Sequence, residues 1–170
     1  MKPEKVATLE PLVRVLQIIY LAMMAGVIFF LMLILFVAKE KINFELSLFT
    51  LIGMVFAIPA YICSFIVPKI VANTGLKVAA NKLDDEGYKA DSETGLKSIF
   101  SVLQSTSIIR FALLEGAMFF NVLTYFLTGS VVSLIIVGLG LAIMAAHFPR
   151  QDATIAWVEE RVSDVNQNRV

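Results

Sequence analysis

The sequence predicts an all-α polytopic membrane protein, a bundle of four transmembrane helices built as a duplicated helical hairpin with both termini in the cytoplasm. Three observations carry this. Four apolar blocks have bilayer length, the basic residues fall on one side of them, and the two halves echo each other. The chain is 58% hydrophobic with a mean hydropathy of +0.82, against about 45–50% apolar for a soluble domain.

The blocks are residues 15–38, 46–67, 108–127 and 131–148. The first two hold no charge, the third holds Arg110 and Glu115, and the fourth holds only His147 near its end. A helix needs about 20 apolar residues to cross about 30 Å of hydrocarbon. Barrel strands would be about ten residues long and would alternate, and these blocks do neither. With no water in the bilayer core, the helix then pairs the backbone internally. The first block is expected to stay in the mature protein. Its apolar stretch is too long for a signal peptide, acids sit among the leading bases, and no small-residue cleavage site follows.

Lysine and arginine favour the cytoplasmic side. Of 14 basic residues, 12 lie in residues 1–14, in 69–110 and after 148; only Lys39 and Lys41 lie between the first two blocks. An even number of spans with this bias places both ends inside. The net charge of zero implies no nucleic-acid surface.

Thr8-Leu-Glu-Pro11 reads as a helix start, with a threonine cap, an acid in the first turn and a proline whose missing donor costs nothing there. A short polar turn is expected at 39–43. Pro59 frees the carbonyl of Val55 and is expected to bend the second span. The polar segment 69–107 is read as cytoplasmic. Within it, Ile70, Val71, Leu76, Val78, Ala79 and Leu83 suggest that the second helix continues past the membrane. Asp84-Asp-Glu-Gly87 would end that helix and Asp91 or Ser92 would cap the next; the alternative is a solvated loop. Residues 152–165 read as an amphipathic helix whose Ile155, Val158, Val162 and Val165 form one narrow apolar face, with Trp157 beside it. That helix lies on the membrane or covers the base of the bundle. The whole chain, 1–170, reads as a single membrane domain.

Ala22-Met-Met-Ala-Gly26-Val-Ile-Phe29-Phe30 stands 90 residues before Ala112-Leu-Leu-Glu-Gly116-Ala-Met-Phe119-Phe120. Val67-Pro68-Lys69 ends the second span as Phe148-Pro149-Arg150 ends the fourth. This reads as a duplicated hairpin; chance likeness between apolar segments is the alternative. Ala22 with Gly26, Gly53 with Ala57, Ala112 with Gly116, and Gly138 with Ala142 place small residues one turn apart. Such strips let helices approach closely, within the bundle or against other membrane proteins.

Cys63 and His147 have no second cysteine or histidine beside them. They read as an apolar filler and an interfacial polar residue, with no metal site or cofactor expected. Glu115 needs more explanation, because a carboxylate near a helix centre costs about 2.5–3.5 kcal/mol on insertion scales. The matching residue of the first half is Ala25, so the fold does not demand an acid there. At about 100° per residue, Arg110, Ala117, Asn121 and Thr128 share one face, and Glu115 lies about 140° from Arg110. A neighbouring helix is its expected partner, through Gln17 or Tyr20.

Arg110-Phe-Ala-Leu-Leu-Glu-Gly116 resembles the carboxylate helix of rotary ATPase proteolipid subunits, and a duplicated hairpin with one surviving acid resembles the V-type form. Those families have a glycine-rich helix, place the acid in the second helix of a hairpin, and orient their termini the other way. The resemblance covers about seven residues, and their function is not carried over. As a whole the chain resembles small bacterial four-helix membrane proteins of no known activity. The shared marks are the Ala-Leu-x-Glu-Gly…Phe-Phe span and the Phe-Pro end of the last helix.

Catalysis needs a nucleophile with a base, a metal site or paired acids. None of these patterns occurs in the sequence, so no enzymatic activity is expected. The expected role is a structural or interaction subunit of a membrane assembly, a homo-oligomer or a complex with another membrane protein. The alternative is proton or cation translocation with Glu115, Asn121 and Arg110 as the candidate site. That alternative predicts that wild-type proteoliposomes dissipate an imposed pH gradient and that Glu115→Gln does not. Equal flux with and without the carboxylate removes it.

Overall fold

The structure, a computed structural model, describes residues 3–38, 44 and 46–167. The polar turn expected at 39–43 lies outside the described residues. So do Lys2, Lys39, Lys41 and Arg169 of the charge argument, and the side chain of Lys5. Among the described residues there are five helices and no strand: α1 Pro3–Val37, α2 Leu48–Asp85, α3 Glu93–Thr128, α4 Val131–Ala146 and α5 Gln151–Gln167.

Helix α1 starts at Pro3, not at Thr8, and Pro11 lies inside it. The sequence reading placed the cap one and a half turns too late. Proline at the first helical position loses no bond, so Pro3 is the favourable start. Pro11 removes the donor to the Ala7 carbonyl, but both residues are exposed and water can replace it. Helix α2 runs unbroken through Pro59 and Pro68.

The α2–α3 turn is built from local chemistry. Gly87 has φ 70°. Its N–H donates to Asp84 O at 3.1 Å, and the Tyr88 N–H donates to Leu83 O at 2.9 Å. This pair of bonds satisfies the last carbonyls of the helix and needs the left-handed residue that glycine supplies. Ser92 Oγ then accepts from the Gly95 N–H at 3.1 Å, capping α3. Glu93 and Lys97, one turn apart, pair at 2.6 Å, and that bond holds the Glu93 carboxyl below its usual range. Its small contribution is present at neutral pH and fades as acid protonates the carboxylate. Gly129, at φ 66°, makes the α3–α4 turn, its N–H donating to Tyr125 O at 2.7 Å.

By packing, the chain forms two compact units. The first comprises Met1–Ile19, Val67–Ile108 and Pro149–Val170; the second comprises Tyr20–Ile66 and Ile109–Phe148. Charge divides the same way. Of 28 charged residues, only Lys39, Glu40, Lys41, Glu45, Arg110 and Glu115 fall in the sequence of the second unit.

In the first unit, Leu9, Val13 and Leu16 of α1 share a core with Leu83 of α2, Leu96, Ile99 and Phe100 of α3, and Val158, Val162 and Val165 of α5. The valine stripe of α5 is therefore buried against this unit, with Ile155 and Trp157 partly buried beside it. The same contacts leave it no free apolar face to lay on a membrane.

In the second unit, Tyr20, Val27 and Ile34 of α1 meet Phe111, Leu114, Met118, Val122 and Tyr125 of α3, with Val137 and Met144 of α4. Its outer surface is apolar: Phe29 is 71% exposed, Phe36 91% and Val55 70%. That inverts the ordinary rule for a protein in water, where large exposed apolar patches mark interaction surfaces. Helices α1, α2 and α3 are each long and apolar enough to cross a membrane, with best-window mean hydropathies of 2.8, 2.2 and 1.4. Helix α4 has 16 residues and enters the count as a fourth only together with α5. These helices are compatible with a multi-pass membrane protein.

Of the small-residue strips, only Gly53 and Ala57 are buried within the unit. Ala22, Ala112, Gly116, Gly138 and Ala142 are exposed, and Gly26 is half-buried. The close-packing residue of α4 is Gly140, not Gly138. Ser133, Val137, Gly140 and Met144 form the buried face, and the helical turn carries Gly138 and Ala142 to the other side. A Cβ on Gly140 would meet Met118 Cγ and Sδ and Tyr61 Oη, each at 2.6 Å; one on Gly138 would meet nothing within 4 Å. Tyr61 cannot yield freely, because its hydroxyl donates to Ile136 O at 2.6 Å. We therefore expect Gly140→Ala to cost about 1–3 kcal/mol through overpacking. Gly138→Ala should be neutral or stabilising by up to about 1 kcal/mol through helix propensity. Thermal melts of the two variants in detergent micelles check the contrast; equal melting temperatures would contradict it.

Candidate functional site

Among the described residues, helix α3 carries both charged side chains of the second unit, Arg110 and Glu115, together with Asn121, and its apolar window is the most buried of the three long helices, at 44% against 17% for α1 and 22% for α2. Each polar side chain must find its place among neighbours that offer few partners. Without water, an unpaired group costs several kcal/mol.

Arg110 reaches α2, its Nε donating to Ser64 O at 3.2 Å. That carbonyl is special. In a helix it would accept from residue 68, and residue 68 is proline, which has no N–H. Arg110 thus supplies the donor that Pro68 withholds. Ser64 is fully buried, so the carbonyl has no ready access to water. The Ser64 hydroxyl turns back to Tyr61 O at 2.7 Å.

Asn121 also reaches α2, eleven residues and about 16 Å farther along the helix. Its Nδ2 donates to Ala117 O at 2.9 Å and to Gly53 O at 3.3 Å. The approach requires glycine: a Cβ at position 53 would lie 2.8 Å from Asn121 Oδ1 and 3.2 Å from Thr124 Oγ1. Asn121 is fully buried, and its Oδ1 has no partner among the described residues.

Glu115 goes the other way. It faces α1, where its Oε1 lies 3.7 Å from the point a Gly26 Cβ would occupy. Neither expected partner meets it. Gln17 Nε2 donates to Pro149 O at 2.8 Å, and the Tyr20 hydroxyl is buried with no hydrogen-bond partner among the described residues. Tyr20 instead packs its ring edge-on against Phe111 and Phe148, at centroid separations of 3.9 and 5.3 Å. No hydrogen bond or ion pair to Glu115 occurs among the described residues. The carboxylate sits half-buried at the rim between α1 and α3.

The three candidate residues thus do not converge. The shared face of Arg110 and Asn121 meets α2, and the turn of the helix sends Glu115 to α1. No group of three histidine, cysteine or acidic side chains able to hold a metal lies together among the described residues. Tyr61 and Gly140, which lock α2, α3 and α4 together, escaped the sequence reading. The available signal was the 133, 137, 140, 144 spacing in α4.

Neither family models, curated proteins nor solved structures give a match to this chain.

If Arg110 compensates for Pro68, the two positions are coupled. Arg110→Met should cost about 1–3 kcal/mol by leaving a buried carbonyl unpaired. In a Pro68→Ala background the backbone N–H returns, and the same change should cost at least about 1 kcal/mol less. A double-mutant cycle of unfolding free energies in mixed micelles measures this. Additive effects would show that Arg110 serves another purpose.

Proposed function

We propose that this is a four-span integral membrane protein of a cell membrane, the bacterial inner membrane by its resemblance, with both termini cytoplasmic. It acts as a non-enzymatic interaction subunit of a membrane assembly. The basic residues that flank the apolar blocks support the orientation. Apart from Arg110, the twelve on the cytoplasmic side belong to the charged first unit, which is the cytoplasmic part in this reading, and the apolar second unit is the part in lipid. The matched motifs at residues 22–30 and 112–120 support descent from a duplicated hairpin.

The observation that carries the interaction role is the outer face of α3. Ala112 and Gly116 are exposed there, and a Cβ on Gly116 would meet nothing within 4 Å. A glycine that neither packs inside the unit nor makes a turn gains nothing for its own helix and costs about 1 kcal/mol relative to alanine. Small residues on a lipid-facing surface let another helix come close. Translocation is the weaker reading, since Arg110 and Asn121 turn away from Glu115 and leave it without relay partners.

Gly116→Leu should leave the protein folded, because the space around it is open. It should abolish assembly with a second membrane protein or a second copy. Crosslinking in native membranes and native mass spectrometry from nanodiscs provide the readout. A wild-type protein that stays strictly monomeric with no co-purifying partner would refute the role.

A further inference from the structure

The face of α3 that supports an interaction role also carries chemistry that names its partner. Ala112 and Gly116 form a small-residue floor. On the α1 side, the ring of Phe119 meets Phe30 at 5.1 Å, and Glu115 lies beside Gly26. On the α2 side, Phe120 meets Phe56 at 5.1 Å. A shallow apolar hollow of about 440 Å³ continues there between Leu113 and the Val55, Pro59 and Cys63 side of α2. The floor is thus a groove of small residues on the outer face of α3, flanked by an aromatic pair on either side, with one carboxylate on its α1 side.

We propose that this groove receives a transmembrane helix of a different protein, and that this helix presents a lysine or arginine to Glu115. The inference rests on the interaction role above and adds the identity of the recognising group. Charge complementarity selects the occupant. The carboxylate has no hydrogen-bond or ion-pair partner among the described residues, and everything exposed around it is apolar or small. A basic side chain delivered by a neighbour offsets the cost of placing that charge in hydrocarbon, and such pairing is how intramembrane charges are generally accommodated.

A second copy of this chain does not suit the groove. Two copies inserted in the same orientation would bring Glu115 to the same depth as its twin, acid against acid. Nor does this surface offer a cation: Arg110 is engaged with Ser64 O, and the Asn121 amide is buried inside. A free metal ion is disfavoured as well, since no further carboxylate, histidine or thiol joins Glu115 among the described residues.

The test uses the full-length protein in phosphatidylcholine vesicles with two fluorescent probe peptides. Each is an alanine- and leucine-rich transmembrane helix of about 20 residues. One has a single lysine a third of the way along, and the other has leucine there. Energy transfer from the labelled protein gives the association constants. The lysine peptide should bind wild type at least about tenfold more tightly than the leucine peptide, a modest share of the cost of an unpaired membrane charge. Glu115→Gln, of nearly the same shape, should lose that preference while keeping its helical circular dichroism and its affinity for the leucine peptide. Gly116→Leu should weaken both peptides.

No preference for lysine, or a preference that survives in Glu115→Gln, overturns the inference and leaves the interaction role standing. Binding of both peptides unaffected by Gly116→Leu overturns the interaction role itself. Self-association of the protein alone that is lost in Glu115→Gln overturns the inference in favour of a second copy.

Discussion

Within the second unit, the closeness of α3 to α2 at Gly53 governs much of what else is found. Asn121 fills the space where a Gly53 side chain would be. It ties the two helices together through the Gly53 carbonyl, and Thr124 lies against the same glycine. Once α3 is held in that rotation, its remaining faces are determined. Phe111, Leu114, Met118 and Val122 face the core, Glu115 goes toward α1, and Ala112 and Gly116 face outward. A small rotation would bury the carboxylate or expose the amide, and each is costly where water is absent. The Asn121–Gly53 contact therefore acts mainly on register, with a modest share of the stability: such interhelical hydrogen bonds are worth about 0.6 kcal/mol on average in a membrane.

Proline is handled differently at two places in the chain. Pro11 is exposed, and its lost bond leaves a carbonyl that solvent can reach. Pro68 is buried, and its lost bond is answered by the guanidinium of Arg110. The same residue type thus costs little in one setting and recruits a charged side chain in the other. Arg110 accordingly reads as a backbone-satisfying residue at the edge of the second unit, a role that needs no ion pathway and no acidic partner.

Charge segregation explains why helices of 35, 38 and 36 residues each belong to both units. One half of each carries polar residues around a narrow apolar stripe, and the other half is apolar on nearly every face. The stripe suffices in the first unit, where α1, α2, α3 and α5 bury leucines, valines and Phe100 against each other. In the second unit large apolar side chains also form the outside, Phe29, Phe36 and Val55 among them.

Much of this was legible in the sequence. Block length and composition determined the helical class and its compatibility with a membrane, because in hydrocarbon the helix satisfies its own backbone. Turn chemistry at Gly87 and Ser92 marked where α2 stops and α3 starts, since these signals act within a few residues. Pattern also singled out Glu115 as the position that needs an explanation, named Arg110 and Asn121 with it, and placed Gly53 among the small packing residues. The tertiary structure alone decided which neighbour answers each of them. Gly140 rather than Gly138 packs tightly, α5 is buried against the first unit, and Arg110 meets a carbonyl released 46 residues earlier in the chain. Glu115 ends beside Gly26 with none of its expected partners. Spacing along one helix gives a residue's angle about its own axis, but not which helix stands at that angle; that depends on how whole surfaces fit together.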